Sequence, residues 1–204
     1  MDEAESKYDS FNISQSREFS WDDKGPGISL LLAMITEDQK YVEHLHQYCR
    51  DIIQTKPRSP KGMVFISQWG SLRHASNAAF LCLTADTLGL GPETGGYSDF
   101  ADQQLGYILG DSGHSFLVGF GESPPERPHH AASSCPARPQ PCGWEAFTNP
   151  GPNPQVLEGA LVGGPDNAQD RWEDDRANYV TNEVALDYNA AFSGLLAATV
   201  ERKH

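Results

Sequence analysis

Carboxylates placed among amides, aromatic rings and a guanidinium are the side chains that hand a proton to an oxygen leaving group. This chain gathers them near its C-terminus, in the run Asp174-Asp175-Arg176-Ala177-Asn178-Tyr179-Val180-Thr181-Asn182-Glu183-Val184-Ala185-Leu186-Asp187-Tyr188. The run reads as the start of one long helix over about 175–202. In it Glu183 is backed by Val180, Val184 and Tyr188, so it can sit half-buried at the floor of a cleft and act as a proton donor. On a regular helix Asp174 and Glu183 are separated by roughly 13.5 Å of rise and stand about 180° apart, so they cannot grip one bond together. Asp174 or Asp175 suits the helix N-terminus, where a carboxylate accepts unpaired N–H groups. Glu183 and Asp187 are i,i+4 neighbours and would repel, raising one pKa. A solvated acidic face would carry the same residues.

Two other clusters have chemical content. Pro124-Pro125-Glu126-Arg127-Pro128-His129-His130 sets adjacent imidazoles on a proline-stiffened loop, ready to face a ligand. With Cys135 and Cys142 these histidines could hold zinc, although the spacing matches no standard structural-zinc pattern. Gln68-Trp69-Gly70-Ser71-Leu72-Arg73-His74 puts an indole and a guanidinium at a helix start, suited to stacking on a sugar ring and bonding its hydroxyls; simple packing of the Trp is the plainer reading. Trp21-Asp22-Asp23 is similar in kind.

The elements that must position these groups are helical. Residues 27–36 read as a short buried helix after Gly25-Pro26. Residues 37–54 carry Tyr41, Val42, Leu45, Tyr48, Cys49, Ile52 and Ile53 at amphipathic spacing, with Thr36 and Gln39 as a capping box and Pro57 beyond the end. Further helices are expected near 71–88, on Leu72, Ala75, Ala79, Leu83 and Leu88, and over 96–109, on Phe100, Leu105, Tyr107 and Ile108. From Asp111 to Arg171 proline and glycine interrupt any period. A loop this long is either functional or disordered, and its apolar content (Phe116, Leu117, Trp144, Phe147, Leu161) favours order. No convincing strands alternate with the helices. The class is all-α with long irregular loops, and the large apolar faces predict exposed hydrophobic surface if the chain stands alone.

At 204 residues the chain is one domain or a large piece of one. A formal charge of −13 and a pI of about 4.8 argue against nucleic acid and anionic membranes as partners and suit an uncharged polymer. No stretch approaches the ~20 apolar residues of a membrane span. The acidic N-terminus MDEAESKYDSF lacks the features of a signal peptide. Cys49 and Cys82 read as buried free thiols within helices. Cys135 and Cys142 bracket a proline-rich loop; a disulfide there would favour an oxidising compartment, and two free thiols are the alternative.

Together the stretches resemble the C-terminal half of a glycoside hydrolase family 9 catalytic domain, the endo-β-1,4-glucanases or cellulases, with an animal flavour. Trp172, Asp174, Tyr179, Glu183, Ala185, Asn189 and Ala190 fill every fixed place of the family's C-terminal signature. Ser115 to Gly121, followed by Pro124-Pro125 and Pro128-His129-His130, resembles its histidine signature. FSWDDK (19–24), WGSLRHASNAAFLCL (69–83), LGYILGD (105–111) and LEGALVGGPD (157–166) extend the likeness over essentially the whole chain. The resemblance implies a partial (α/α)6 toroid, hydrolysis with inversion, Glu183 as general acid, and His129 and Asp174 as the other marked active-site positions. It implies Trp69, Arg73 and Tyr179 as substrate contacts, a β-1,4-glucan partner, an extracellular protein, and a monomer when complete. No cofactor is required, though a structural calcium touching Asp22 is implied for the complete domain, its other ligands lying upstream.

Three departures qualify the match. Ala131 stands where the family has Arg, two residues after the histidine, and the loss of such a charged donor costs on the order of 1.5–3 kcal/mol. His74 replaces an aromatic after Arg73. Inversion also needs a second carboxylate ~6.5–9.5 Å from the acid to activate water. The family carries it in an Asp-x-Gly-Asp motif of the N-terminal half, and Asp111-Ser112-Gly113-His114 is not that motif. Residues 1–11 resemble an internal family helix, so residues 1–204 are expected to be the C-terminal portion of the domain, inactive alone. A glucan-binding or scaffold role without catalysis is the alternative, and a metal-binding loop protein the third.

Overall fold

A computed structural model describes residues 2–91 and 96–202, so Met1 of the segment 1–11 lies outside them. Its helices are α1 (Asp2–Ser10), α2 (Gly25–Thr36), α3 (Gln39–Thr55), α4 (Ser71–Thr87), α5 (Tyr97–Gly106, running into a wider π turn over Tyr107–Asp111), α6 (Ala131–Ser134), α7 (Trp144–Thr148), α8 (Tyr179–Asn182) and α9 (Leu186–Arg202). The described residues contain isolated β-bridges and no named strand. The all-α expectation holds.

α4 is the axis of the core. It is rich in Ala and Leu and buried on nearly every side, as a helix with no polar stripe must be. α9, α5, α2 and α3 pack around it. Leu72, Leu83, Tyr107, Phe116, Leu161 and Leu195 belong to one continuous apolar cluster. A smaller cluster under α1 joins Tyr8, Leu32, Ala33 and Tyr41, with the Tyr8 hydroxyl 2.8 Å from both Ser29 Oγ and His44 Nδ1.

Three details differ from the sequence reading, and one open alternative is decided. α3 is capped by Asp38, whose Oδ1 accepts the Lys40 N–H at 2.8 Å, because Glu37 has already left the preceding helix with φ +57°. Cys49 and Cys82 are not thiols. They form a buried disulfide that staples α3 to α4, with Cα atoms 5.8 Å apart. Periodicity placed each cysteine on a buried face but could not show that the two faces meet. Cys135 and Cys142 are also joined, which removes both sulfurs from the zinc reading.

The third difference reshapes the site. The long C-terminal helix is two helices, α8 and α9, broken over Glu183–Ala185. Glu183 is extended (φ −61°, ψ 145°), and the break pairs outward, Glu183 with His129 and Val184 with Val162. Long-range pairing has overridden local helix preference. Asp174 and Asp175 precede both helices on a loop, so the helical phase separating Asp174 from Glu183 does not apply.

The irregular stretch is ordered by the same means. Val118 N–H donates to Ala160 C=O at 3.0 Å and Gly159 N–H returns to Val118 C=O at 2.8 Å. Gly164 (φ +86°) lies so close to Leu72 that a Cβ would fall 2.3 Å from its Cγ, so only glycine lets this loop close on α4.

Candidate active site

Glu183 is half-buried at the junction of α8 and α9. Its Oε2 accepts two hydrogen bonds, from Trp69 Nε1–H at 2.9 Å and from the Tyr188 hydroxyl at 2.9 Å. No group among the described residues donates to Oε1. The carboxyl group is therefore held by one oxygen and offers the other. Tyr188 is itself buried, and that burial, reinforced by the Glu183 carboxylate, raises its pKa, so its hydroxyl stays a donor. In the sequence Tyr188 reads only as part of an apolar stripe. Its five-residue offset from Glu183 signals nothing until the chain breaks between them.

Gly70 makes the close approach possible. It starts α4 at φ +64°, and a Cβ there would lie 2.9 Å from the Tyr188 ring and hydroxyl. Beside it Arg73 is nearly buried: Nη1 donates to Asp187 Oδ2 at 2.9 Å, and Nη2 to Trp69 C=O at 3.2 Å and His74 Nε2 at 3.0 Å. Its guanidinium carbon lies 5.2 Å from the Tyr188 ring centroid. Arg73 thus braces Trp69, Tyr188 and Asp187 at once. Asp187 faces this cation and, with Glu183 outside the helix, is not the i,i+4 neighbour that sequence spacing suggested.

His129 reaches the site from the loop. Its backbone N–H donates to Asn182 C=O at 2.7 Å, placing it alongside Glu183. Its Nδ1 lies 2.7 Å from Arg176 C=O; a carbonyl only accepts, so Nδ1 carries the hydrogen and Nε2 is left free. Asp174 fixes the approach to that loop by accepting the N–H of Glu126 (2.9 Å) and of Arg127 (3.1 and 3.2 Å). Its carboxylate is engaged there, not at Glu183. Tyr179 and Trp69 rings lie 5.2 Å apart, and Tyr179 meets His129 edge-to-face at 6.0 Å. Both are about half exposed (Trp69 44%, Tyr179 49%), so a solvent-facing aromatic wall flanks the free oxygen.

Sequence reasoning missed the group that locks this wall. Arg176, 3% exposed, donates from Nε to Asn153 Oδ1 at 2.6 Å, from Nη2 to Gly151 C=O at 2.8 Å, and from Nη1 to the carbonyls of Ala146, Phe147 and Asn149. Asn153 in turn donates to Pro128 C=O and Ser133 Oγ. Arg176 follows Asp174-Asp175 and precedes Ala177-Asn178, and nothing in that local sequence betrays its burial. His130 is turned to its own helix α6, where Nδ1 accepts the Ser133 N–H. Among the described residues no three His, Cys, Asp or Glu side chains converge as a metal cage. Asp22 is bound by the Ser20 hydroxyl at 2.6 Å, which holds its carboxyl below the usual range.

The sequence profile described as Glycosyl hydrolase family 9 matches residues 1–196. The chain belongs to this family. Among family 9 relatives, Endoglucanase A of Bacillus pumilus is 40% identical over 195 residues, which cover 89% of this chain and 28% of that protein. Endoglucanase B of Cellulomonas fimi is 39% identical over 214 residues, covering 97% and 20%. The fold superposes on the endoglucanase of the termite Nasutitermes takasagoensis with a TM-score of 0.93 at 47% identity, covering 98% of this chain and 46% of the other. CelQ of Clostridium thermocellum, solved with cellotriose, gives a TM-score of 0.77 at 34% identity, covering 90% and 31%. The chain thus spans less than half of each of these family 9 proteins, and its helices form part of the (α/α)6 toroid.

Proposed function

We propose that this chain is the acid-bearing portion of an endo-β-1,4-glucanase, with Glu183 as the general acid in inverting hydrolysis of internal glucosidic bonds. The observation that carries the reading is the asymmetric hold on Glu183: two donors on Oε2 leave Oε1 to carry the proton toward a glycosidic oxygen. As that bond breaks, the same two donors stabilise the carboxylate left behind. Trp69 and Tyr179 form the apolar wall against which a pyranose ring lies, and His129 Nε2 faces a sugar hydroxyl. Asp174 acts by fixing the His129 loop.

The water-activating carboxylate is assigned to the part of the family domain that this chain does not span. Asp174 is held by backbone N–H groups and Asp187 by Arg73, so neither is free for that role. That same engagement favours a second reading, glucan binding without turnover. Two disulfides support an extracellular protein, and a monomer is the expected state of the complete domain.

The 204-residue chain is expected to release no reducing ends from carboxymethylcellulose. Turnover by the chain alone, abolished in Glu183→Gln, would overturn the missing-base assignment. Joined to the complementary portion of a family 9 relative, it should hydrolyse the polymer and release the α-anomer first, as followed by proton NMR. Glu183→Gln should then lower the rate by about 10²–10⁴-fold. Unchanged turnover in that variant would remove Glu183 as the acid.

A further inference from the structure

We propose that the short helix α7 is an additional sugar platform, on which Trp144 stacks a further pyranose of the same β-glucan chain beyond His129. The inference rests on the glucanase reading above and extends its binding surface to residues given no role there. Phe147 meets the His129 ring edge-to-face at 6.3 Å and also meets Trp144 at 6.3 Å and 88°. Ring contacts therefore run in series from Trp69 through Tyr179, His129 and Phe147 to Trp144, continuous with the wall at Glu183.

Trp144 ends this series 84% exposed, while Phe147 is half-buried as the shared support. An indole this exposed would ordinarily sit on a loose loop. Here the loop is fastened at two points. The Cys135–Cys142 disulfide closes the turn just before α7. The buried Arg176 guanidinium binds the carbonyls of Ala146, Phe147 and Asn149 at the end of α7, and its own carbonyl takes the His129 Nδ1–H. One residue thus fixes the platform and the imidazole relative to each other. A fastened, water-facing indole joined to an active-site wall by successive ring contacts offers a flat apolar face to the axial C–H face of a β-linked pyranose. The ligand is uncharged, in keeping with the acidic chain.

Isothermal titration calorimetry of the 204-residue chain with cellotriose and cellohexaose tests the platform. The unaltered chain should bind cellohexaose more tightly, and Trp144→Ala should weaken cellohexaose about three- to tenfold while leaving cellotriose unchanged. Trp144→Phe, which keeps a ring, should recover most of the loss, and the thermal melts of both variants should match the parent because the side chain packs little. If Trp144→Ala keeps the full preference for cellohexaose, the platform is refuted and the glucanase reading stands. If the unaltered chain binds neither oligosaccharide, the glucanase reading fails and the platform with it.

Discussion

His74 shows how one buried group can set the acid tolerance of the molecule. It is 3% exposed; Nε2 accepts from Arg73, and Nδ1 has no partner, with the Glu18 carboxylate 3.9 Å away. Burial first, and the Arg73 charge second, lower its pKa to about 4, against the opposing pull of Asp187 and Asp22. The unfolded chain takes up a proton near pH 6.5 and the native state only near 4, so native stability falls as pH drops through that window. The loss reaches roughly 3 kcal/mol. Urea midpoints at pH 7.5, 5.5 and 4 should fall more steeply for the parent than for His74→Phe. Parallel pH profiles would show that His74 does not carry the effect. At this scale Trp69, His129 and Glu183 were singled out by residue type and Tyr179 by the family resemblance, and the structure brings the four side by side. The donors that act on them were not legible, because the burial of Arg176 and the reach of the Tyr188 hydroxyl arise from contacts distant in sequence.

Among the elements, α2 to α5 were legible because their apolar spacing reflects packing around α4. The break between α8 and α9 was not. Val180, Val184 and Tyr188 keep a helical period across it, while bridges to His129 and Val162 pull the backbone straight. The staple between α3 and α4 was equally hidden, since spacing along a helix says nothing of which neighbour a cysteine meets. Cys49 and Cys82 are 33 residues apart, and closing a loop of that length restricts the unfolded chain by about 3–4 kcal/mol. The double variant Cys49→Ala/Cys82→Ala should lose about that much in chemical denaturation. A loss below about 1 kcal/mol would mean that α3 and α4 hold together by packing alone.

For the whole molecule, α2 carries Leu31, Met34 and Ile35 on one outward face, 57%, 47% and 63% exposed. Three large apolar side chains exposed on one face make a candidate contact surface. The sequence expectation of exposed hydrophobic surface is met on this face. The 204-residue chain is expected to associate as its concentration rises, read by light scattering after size exclusion, and Leu31→Glu with Ile35→Glu should shift it toward a monomer. A parent that stays monomeric at high concentration would show that this face needs no cover. The grip of Arg176 has another consequence at this scale. The partners of its Nη1 and Nη2 groups are backbone carbonyls, which any residue supplies. Side chains between Ala146 and Gly151 other than Phe147, whose ring packs against His129, can change without releasing the imidazole, provided the chain keeps its path. Replacing Arg176 should therefore release the His129 loop, whereas exchanging the side chain of Ala146 or Asn149 should not.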